Sequence, residues 1–523
     1  YIASSIRALW KKNWYALVWH MVRDAEAMLM NTSQERILLG AILVLYLVLG
    51  SLFAIKTPLW QVPDEPAHYN YVRYVAEQRA LPELVEGDYP AEWLAIIKSF
   101  KFTGMSIDRI KYEGHQPPLY YVLAALIYAA ATAAGLQAPL VLRFFSLLIG
   151  ALALYSGYRV VRHVLPHEPE LALGTGAFLA TLPMHLTMTM GINNDVLAEL
   201  ILALVALAVL ARPALSWRWT KVVFLGVLLG LAFLTKLQAY VALVIIVAAL
   251  LWEVVTSRRQ AECLLLGRAA GMLAVILGVA LLVCLPWLIR NGQVYGWSDL
   301  LAQNRHAQVV AGQLTTAQHI ARIGMTEYLK SAVMTTFQSF WGQFGWMGVV
   351  LHPRFYLGAA LVSALALVGL LLYAVRLRRD GQPLVAQTRR GYFVLAAWFL
   401  ASLAGFLWYN TQFVQFQGRY LFPAIVPIGL AFTIGMRELF RRKPWVPLAA
   451  IGILVAFLLV DGLCGRNLKV FSTLMTAAAA PIVLVGNLVE RFMPGLMLVP
   501  VYLGMAAYSL VCLFNYIVPQ LTP

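Results

Sequence analysis

Apolar residues run along this chain in long blocks, parted by short polar stretches in which Arg and Lys collect. The blocks are close to the roughly 20 residues that a helix needs to cross a bilayer. They predict spans over residues 37–56, 139–160, 170–190, 196–212, 220–236, 238–254, 267–289, 355–376, 391–408, 420–438, 445–462, 470–489 and 496–516. The fold class is therefore an all-α polytopic membrane protein with about 13 transmembrane helices. Two longer polar segments, 57–116 and 290–354, interrupt the series. The second contains "FQSFWGQFGWMG", whose aromatics suit an interfacial helix.

The block Leu119–Gly135 decides the topology. If it spans, Arg159, Arg162 and His163 fall outside, against the rule that basic residues stay in the cytoplasm. If it only dips into the outer leaflet or lies along it, every later basic cluster falls inside. Those clusters centre on Arg162, Arg218, Arg259, Arg378, Arg441 and Arg491. The second arrangement is expected, with helices parallel to the membrane on the outer face and the C-terminus outside. Residues 1–36 hold Arg7, Lys11, Lys12, Arg23 and Arg36 and are too charged to span. Trp10, Trp14 and Val18 recur there at helical spacing, so 1–36 read as a cytoplasmic interfacial amphipathic segment. No cleavable signal peptide is expected.

Composition agrees: 61% of the 523 residues are hydrophobic and 12% charged, against about 25% charged in a soluble domain. A net charge of +16 would suggest nucleic acid in a soluble chain. Here it follows from cytoplasmic Lys and Arg, and no nucleic-acid partner is expected. Cys263, Cys284, Cys464 and Cys512 lack the spacing of a metal site or disulfide framework.

The topology brings unusual polar residues to one face. Asp64, Glu65 and His68 stand in "QVPDEPAHY", just after the first span; His115 and Gln116 stand in "EGHQPPLYY". Asn194 and Asp195 fill the turn "GINNDVLAE", Lys236 a hairpin turn in "FLTKLQAY", Arg290 the end of "CLPWLIRN", and Arg419 the start of "GRYLFPAIVP". Each has a plainer reading. Asp64, Asn194 and Asp195 can cap helices, and the two arginines can snorkel to headgroups. Lys236, flanked by apolar residues, is the hardest to dismiss, because ionisable groups at membrane depth face a cavity or partner. His306, His319 and His352 read as ordinary loop histidines. Together, carboxylates that can act as bases and cations that suit a lipid phosphate describe transfer from a lipid-linked phosphate donor.

At these residues the chain resembles the GT-C superfamily of integral membrane glycosyltransferases. That superfamily includes protein O-mannosyltransferases, the lipid A aminoarabinose transferase and the oligosaccharyltransferase catalytic subunit; closest in character are its predicted prokaryotic membrane proteins with an N-terminal "PDEPAHY" signature. The pieces that match are "PDEPAHYNYVRY", "GHQPPLYY", "LRFFSLLIG", "GINNDVLAE", "FLTKLQAY", "PWLIRNGQVYG" and "QGRYLFPAIVP", in order over about residues 37–440. The resemblance implies a transmembrane catalytic module at 37–440, followed by helices of unassigned role over 441–523. It implies that Asp64 takes the catalytic acidic role and that Asp195 belongs to a second acidic site. In metal-dependent relatives those two positions share a divalent cation, whereas here the second site reads Asn-Asn-Asp. It also implies the plasma (inner) membrane of a prokaryote, with the active face outside the cytoplasm.

The expected reaction moves a sugar from a polyprenyl-phosphate donor to the hydroxyl of a glycan, lipid or protein acceptor, with inversion. Asp64 would be the base and Glu65 the alternate base. His68, His115, Gln116, Asn194, Asp195, Lys236, Arg290 and Arg419 would bind substrate, the cations meeting the donor phosphate. Two other readings stand beside this one: a transporter of a lipid-linked sugar, and a non-catalytic subunit of a larger membrane assembly.

Overall fold

The computed structural model describes residues 32–256, 262–310, 314–381, 384–441, 445–464, 470–492 and 495–523. The expected amphipathic segment over 1–31 lies outside the described residues.

A helix forms at each of the thirteen expected spans. Long apolar runs satisfy their backbone groups internally only as helices once water is gone, and several helices begin on a proline, whose missing N–H costs nothing in the first turn. In chain order, α1 is Thr32–Lys56, α2 Glu65–Gln78, α3 Ala91–Ser99, α4 Leu119–Ala133 and α5 Ala138–Val164. Next come α6 Pro169–Thr181, α7 Pro183–Met190, α8 Asp195–Leu210, α9 Trp219–Phe233, α10 Val241–Thr256 and α11 Glu262–Tyr295. Then follow α12 Gln303–Val309, α13 Thr316–Gly342, α14 Pro353–Arg379, α15 Ala386–Gln412, α16 Ile425–Arg441, α17 Trp445–Cys464, α18 Val470–Phe492 and α19 Leu498–Val511.

Among the described residues, eight helices are long and apolar enough to cross a membrane, and α6 with α7 make a ninth if that bent pair is one span. The pair turns by 69° between Thr181 and Pro183, where proline can neither donate to the preceding turn nor fit against it. This is an integral membrane protein. The expected spans at 196–212 and 220–236 are helices of 16 and 15 residues.

Ion pairs define one end of the bundle. Glu35 at the start of α1 meets Arg162 at the end of α5 at 2.6 Å; Arg437 at the end of α16 meets Glu170 at the start of α6 at 2.7 Å. Arg376 pairs with Glu438 at 2.9 Å, and Arg390 with Glu253 at 3.4 Å. So Arg162, Arg376, Arg390 and Arg437 gather at one end, while the expected cluster at Arg259 lies outside the described residues. At the opposite end, Arg143 near the start of α5 reaches the carbonyls of Ala54 and Thr57, where α1 finishes, at 2.9 and 2.7 Å.

Helix α4 has both of its termini at this second end. The Leu119 N–H donates to the carbonyl of Leu234 beyond α9 (2.9 Å), Tyr120 bonds Ser146 near the start of α5 (2.8 Å), and only residues 134–137 separate α4 from α5. Its 15 residues fall short of a bilayer's thickness.

The core tolerates no side chain where α14 crosses α16. A Cβ at Gly369 or at Gly435 would lie 1.9 Å from a carbonyl oxygen of the other helix, the small-residue contact typical of membrane helices.

One element departs from the sequence expectation. In "FQSFWGQFGWMG" the helix stops at Gly342, and Gln343–Phe344 pairs antiparallel with Val349–Val350. Gly345, Trp346 and Met347 all have positive φ, a backbone that closes a hairpin and cannot continue a helix.

Candidate active site

The turn into α2 sets the first part of the site. Asp64 is the residue before the helix and adopts φ 66°, a left-handed conformation that Asp tolerates better than most side chains. It makes no capping bond with its side chain. Its carboxylate turns instead to two distant residues: Arg419 donates to Oδ2 at 2.6 Å and the Tyr112 hydroxyl to Oδ1 at 2.8 Å. Burial raises the Asp64 pKa, but the Arg419 guanidinium outweighs it, and the carboxyl is held down at about 2.

The neighbouring carboxylate has another post. Glu65 is fully buried and forms a two-point pair with Arg143, 2.7 Å at each oxygen, while the Trp60 N–H donates to Oε2 at 2.9 Å. Arg143 also ties the end of α1 through the carbonyls of Ala54, Thr57 and Pro58. Expected as an alternate base, Glu65 is taken up by the clamp that joins α1, α2 and α5. Asp64 and Glu65 thus serve different neighbourhoods.

A second cation–carboxylate pair stands nearby. Asp195, the first residue of α8, accepts from Lys236 at 2.5 Å. Asn193 fixes the turn by accepting from the Asp195 N–H (3.0 Å) and donating to the Met188 carbonyl (2.7 Å). Asn194 donates to the Thr235 carbonyl at 3.0 Å and to Gln116 at 3.3 Å. Asp195 lies within electrostatic reach of Arg419 and His68 as well as Lys236, so the two pairs face one space. His68 bonds the Tyr121 hydroxyl at 2.7 Å; burial lowers its pKa, with Glu113 opposing.

His115 and Arg290 have other partners. His115 packs on His306, ring centroids 4.1 Å apart. Burial drives both imidazoles down, His115 to about 4 and His306 to about 3, so both are neutral near pH 7. His306, expected to be an ordinary loop histidine, therefore belongs beside the site. Arg290 donates to the carbonyl of Pro82 (2.5 Å) and stacks by Tyr295 (5.3 Å), holding the loop after α2 against the end of α11.

Thus the structure brings Asp64, His68, Gln116, Asn194, Asp195, Lys236 and Arg419 together. It adds Glu113 and Tyr112 from the turn Tyr112–His115, and Tyr420, over whose ring Arg419 sits at 5.3 Å. Sequence reasoning missed Glu113, although it stands in "EGHQPPLYY" two residues before His115. Among the described residues, Glu113 Oε2, Asn194 Oδ1, Gln417 Oε1 and Arg419 Nε are buried without a hydrogen-bond partner. Each such atom costs about 1–3 kcal/mol, and a polar ligand would satisfy them.

Residues 103–428 match the family described as "Predicted membrane protein (DUF2142)". The chain belongs to that family. The matched stretch carries Glu113, Gln116, Asn194, Asp195, Lys236 and Arg419, whereas Asp64, Glu65 and His68 precede it. Among solved structures the chain is similar to ArnT from Cupriavidus metallidurans bound to undecaprenyl phosphate. Identity there is 18% and the TM-score 0.47, over 94% of this chain and 77% of that one. No curated protein matches the chain.

A divalent cation shared by Asp64 and Asp195 does not fit this arrangement. Each carboxylate is already neutralised by a cation, Arg419 or Lys236, at hydrogen-bonding distance. Among the described residues no three His, Cys, Asp or Glu side chains are grouped to hold a metal ion.

Proposed function

We propose that this protein is a glycosyltransferase that moves a sugar from a polyprenyl-phosphate donor to an acceptor hydroxyl at the outer face of a prokaryotic plasma membrane. The observation that supports it best is the pairing of two carboxylates with two cations around unsatisfied polar atoms, at the end opposite the basic clusters. Placing that basic end in the cytoplasm puts the site outside, by the positive-inside rule. Helix α4 then lies in the outer leaflet, and residues 37–440 form the catalytic module.

The donor's lipid would lie between helices, and its phosphate would exchange for the carboxylates on Arg419 and Lys236. As the sugar–phosphate bond breaks, negative charge grows on the phosphate oxygen. Fixed cations in a partly dry site stabilise that charge more than water does. The acceptor oxygen attacks the anomeric carbon from the opposite face, so the product is inverted. Its proton passes to a carboxylate of the site. Asp64 is the candidate from sequence.

The test uses purified protein in liposomes with a panel of radiolabelled polyprenyl-phosphate sugars and cell-extract acceptors. Wild type should consume one donor, and Arg419→Ala should slow that by about 10²–10³, as for loss of one preorganised donor to a developing anion. If folded wild-type protein consumes none of the panel with any acceptor, the reading is wrong.

A further inference from the structure

Three carboxylates border the site, and two are already committed. Arg419 and Tyr112 hold Asp64, and Lys236 holds Asp195. Glu113 differs. Its residue is 9% exposed, the Gln116 side chain supports its carboxylate, and Oε2 is buried with no partner among the described residues. It nevertheless lies within electrostatic reach of His68, Asp64 and Lys236.

We propose that Glu113 is the residue that takes the proton of the acceptor hydroxyl. This rests on the glycosyl-transfer reading above and replaces Asp64 as the base within it. A base needs a free lone pair within reach of the proton and a pKa near the working pH. Asp64 has both oxygens occupied and a carboxyl held at about 2 by Arg419 despite its burial. Burial pushes Glu113 the other way, above the usual carboxylate range, with His68 opposing. Such divergence between neighbouring carboxylates separates the one that stays charged from the one that exchanges a proton.

The backbone holds Glu113 in place. The Gly114 N–H donates to the Lys111 carbonyl (3.0 Å) and the Gln116 N–H to the Glu113 carbonyl (2.9 Å), closing the turn. Tyr112 anchors one side to Asp64, and Gln116 anchors the other to Asn194. In the step proposed, the acceptor oxygen bonds the anomeric carbon and the carbon–oxygen bond to phosphate breaks. The electron pair leaves with the polyprenyl phosphate, and the hydroxyl proton moves to Glu113 Oε2. Asp64 keeps Arg419 positioned for the phosphate until the donor arrives.

Charged and titratable groups face Glu113 from each packed element: Asp64 just before α2, His68 on α2, Lys236 after α9, Tyr121 on α4, Tyr409 on α15 and Tyr420 before α16. Only an ionised Glu113 can accept the proton, so turnover should rise as pH climbs through its raised pKa.

The experiment compares wild type, Glu113→Gln, Glu113→Asp and Asp64→Asn in donor-loaded liposomes, reading kcat and donor KM across pH. Glu113→Gln should lose about 10²–10⁴ in kcat, leave donor KM nearly unchanged and abolish the acid limb of the kcat profile. Glu113→Asp should restore part of the rate and the limb. Asp64→Asn should raise donor KM and keep the limb. Near-normal kcat in Glu113→Gln, or an acid limb that survives there, overturns the assignment while leaving glycosyl transfer standing. Infrared titration reads the same carboxyl without turnover. One buried carboxylic-acid band present in wild type and Asp64→Asn should be lost in Glu113→Gln. Because burial also acts on the Glu199 and Glu170 carboxyls, the reading is the wild-type-minus-Glu113→Gln difference spectrum; no carboxylic-acid band in that difference overturns the assignment even if no donor is ever consumed.

Discussion

Arg419 lies 2.6 Å from Asp64 across 355 residues of sequence, and this contact joins the start of α2 to the turn that precedes α16. The pair is partly buried, so it couples the stability of the fold to the charge of the site.

The pair predicts an acid dependence. The folded Asp64 pKa, about 2 against an ordinary 3.8, lies below its unfolded value, so the pair stabilises above about pH 4. That contribution, on the order of 2 kcal/mol, is lost as pH falls through 2. Thermal unfolding in detergent should show Asp64→Asn with a lower Tm than wild type at pH 7, and the gap should close on acidification. An equal Tm at pH 7 would remove the pair from the fold's support.

Glu65 and Arg143 predict a different phenotype from the site residues. Cutting one partner leaves an unpaired buried charge, which costs about 3–5 kcal/mol. Glu65→Ala or Arg143→Ala should therefore lower the yield of folded protein and its Tm. Replacing both by apolar residues of similar size should recover much of the loss. Full stability with lost activity in Glu65→Ala would instead make Glu65 part of the chemistry.

His115 and His306 predict destabilisation by mild acid. Their folded pKa values, about 4 and about 3, lie below an unfolded value near 6.5. The unfolded chain thus binds more protons between those limits, and stability falls as pH drops from about 6.5 towards 4. His115→Asn should flatten the Tm profile across that window. An unchanged slope would mean that His115 is already protonated in the folded protein.

Gly435 predicts a packing failure. A Cβ there would sit 1.9 Å from the Ala366 carbonyl oxygen, so Gly435→Val must push α14 from α16. The cost should reach or exceed the roughly 1–3 kcal/mol usual for overpacking, seen as a lower Tm. Gly405 provides the control, because a Cβ there would meet nothing within 4 Å. Gly405→Ala should be nearly silent.

Much of this was legible in the sequence because bilayer spacing is a strong constraint. Apolar blocks marked helices along the chain, although among the described residues eight or nine, not about 13, are long and apolar enough to cross a membrane, and the Arg-rich stretches forecast the ionic end built by Arg162, Arg376, Arg390 and Arg437. The meeting of Asp64 with Arg419 and of Asp195 with Lys236 was anticipated only as a shared depth. Partner choice was not legible. Nothing in "PDEPAHY" says that Glu65 would go to Arg143 and Asp64 to Arg419, because that depends on which face of α2 meets α5. Glu113 was missed, and His306 was read as an ordinary loop histidine, because each is a single polar residue in a polar stretch, and only packing covers them. The hairpin at 343–350 was missed because aromatic composition suits an interface in either conformation, while three successive positive φ values leave little trace in sequence.

The central claim is that Arg419 and Lys236 receive the donor's phosphate, and binding tests it most directly. Affinity for a polyprenyl phosphate would be measured by calorimetry on purified protein in nanodiscs, for wild type and the Arg419→Ala/Lys236→Ala double variant. A charged hydrogen bond is worth about 1.5–3 kcal/mol, so the double variant should bind at least about 10²-fold more weakly. Equal affinity in the two proteins would contradict the account.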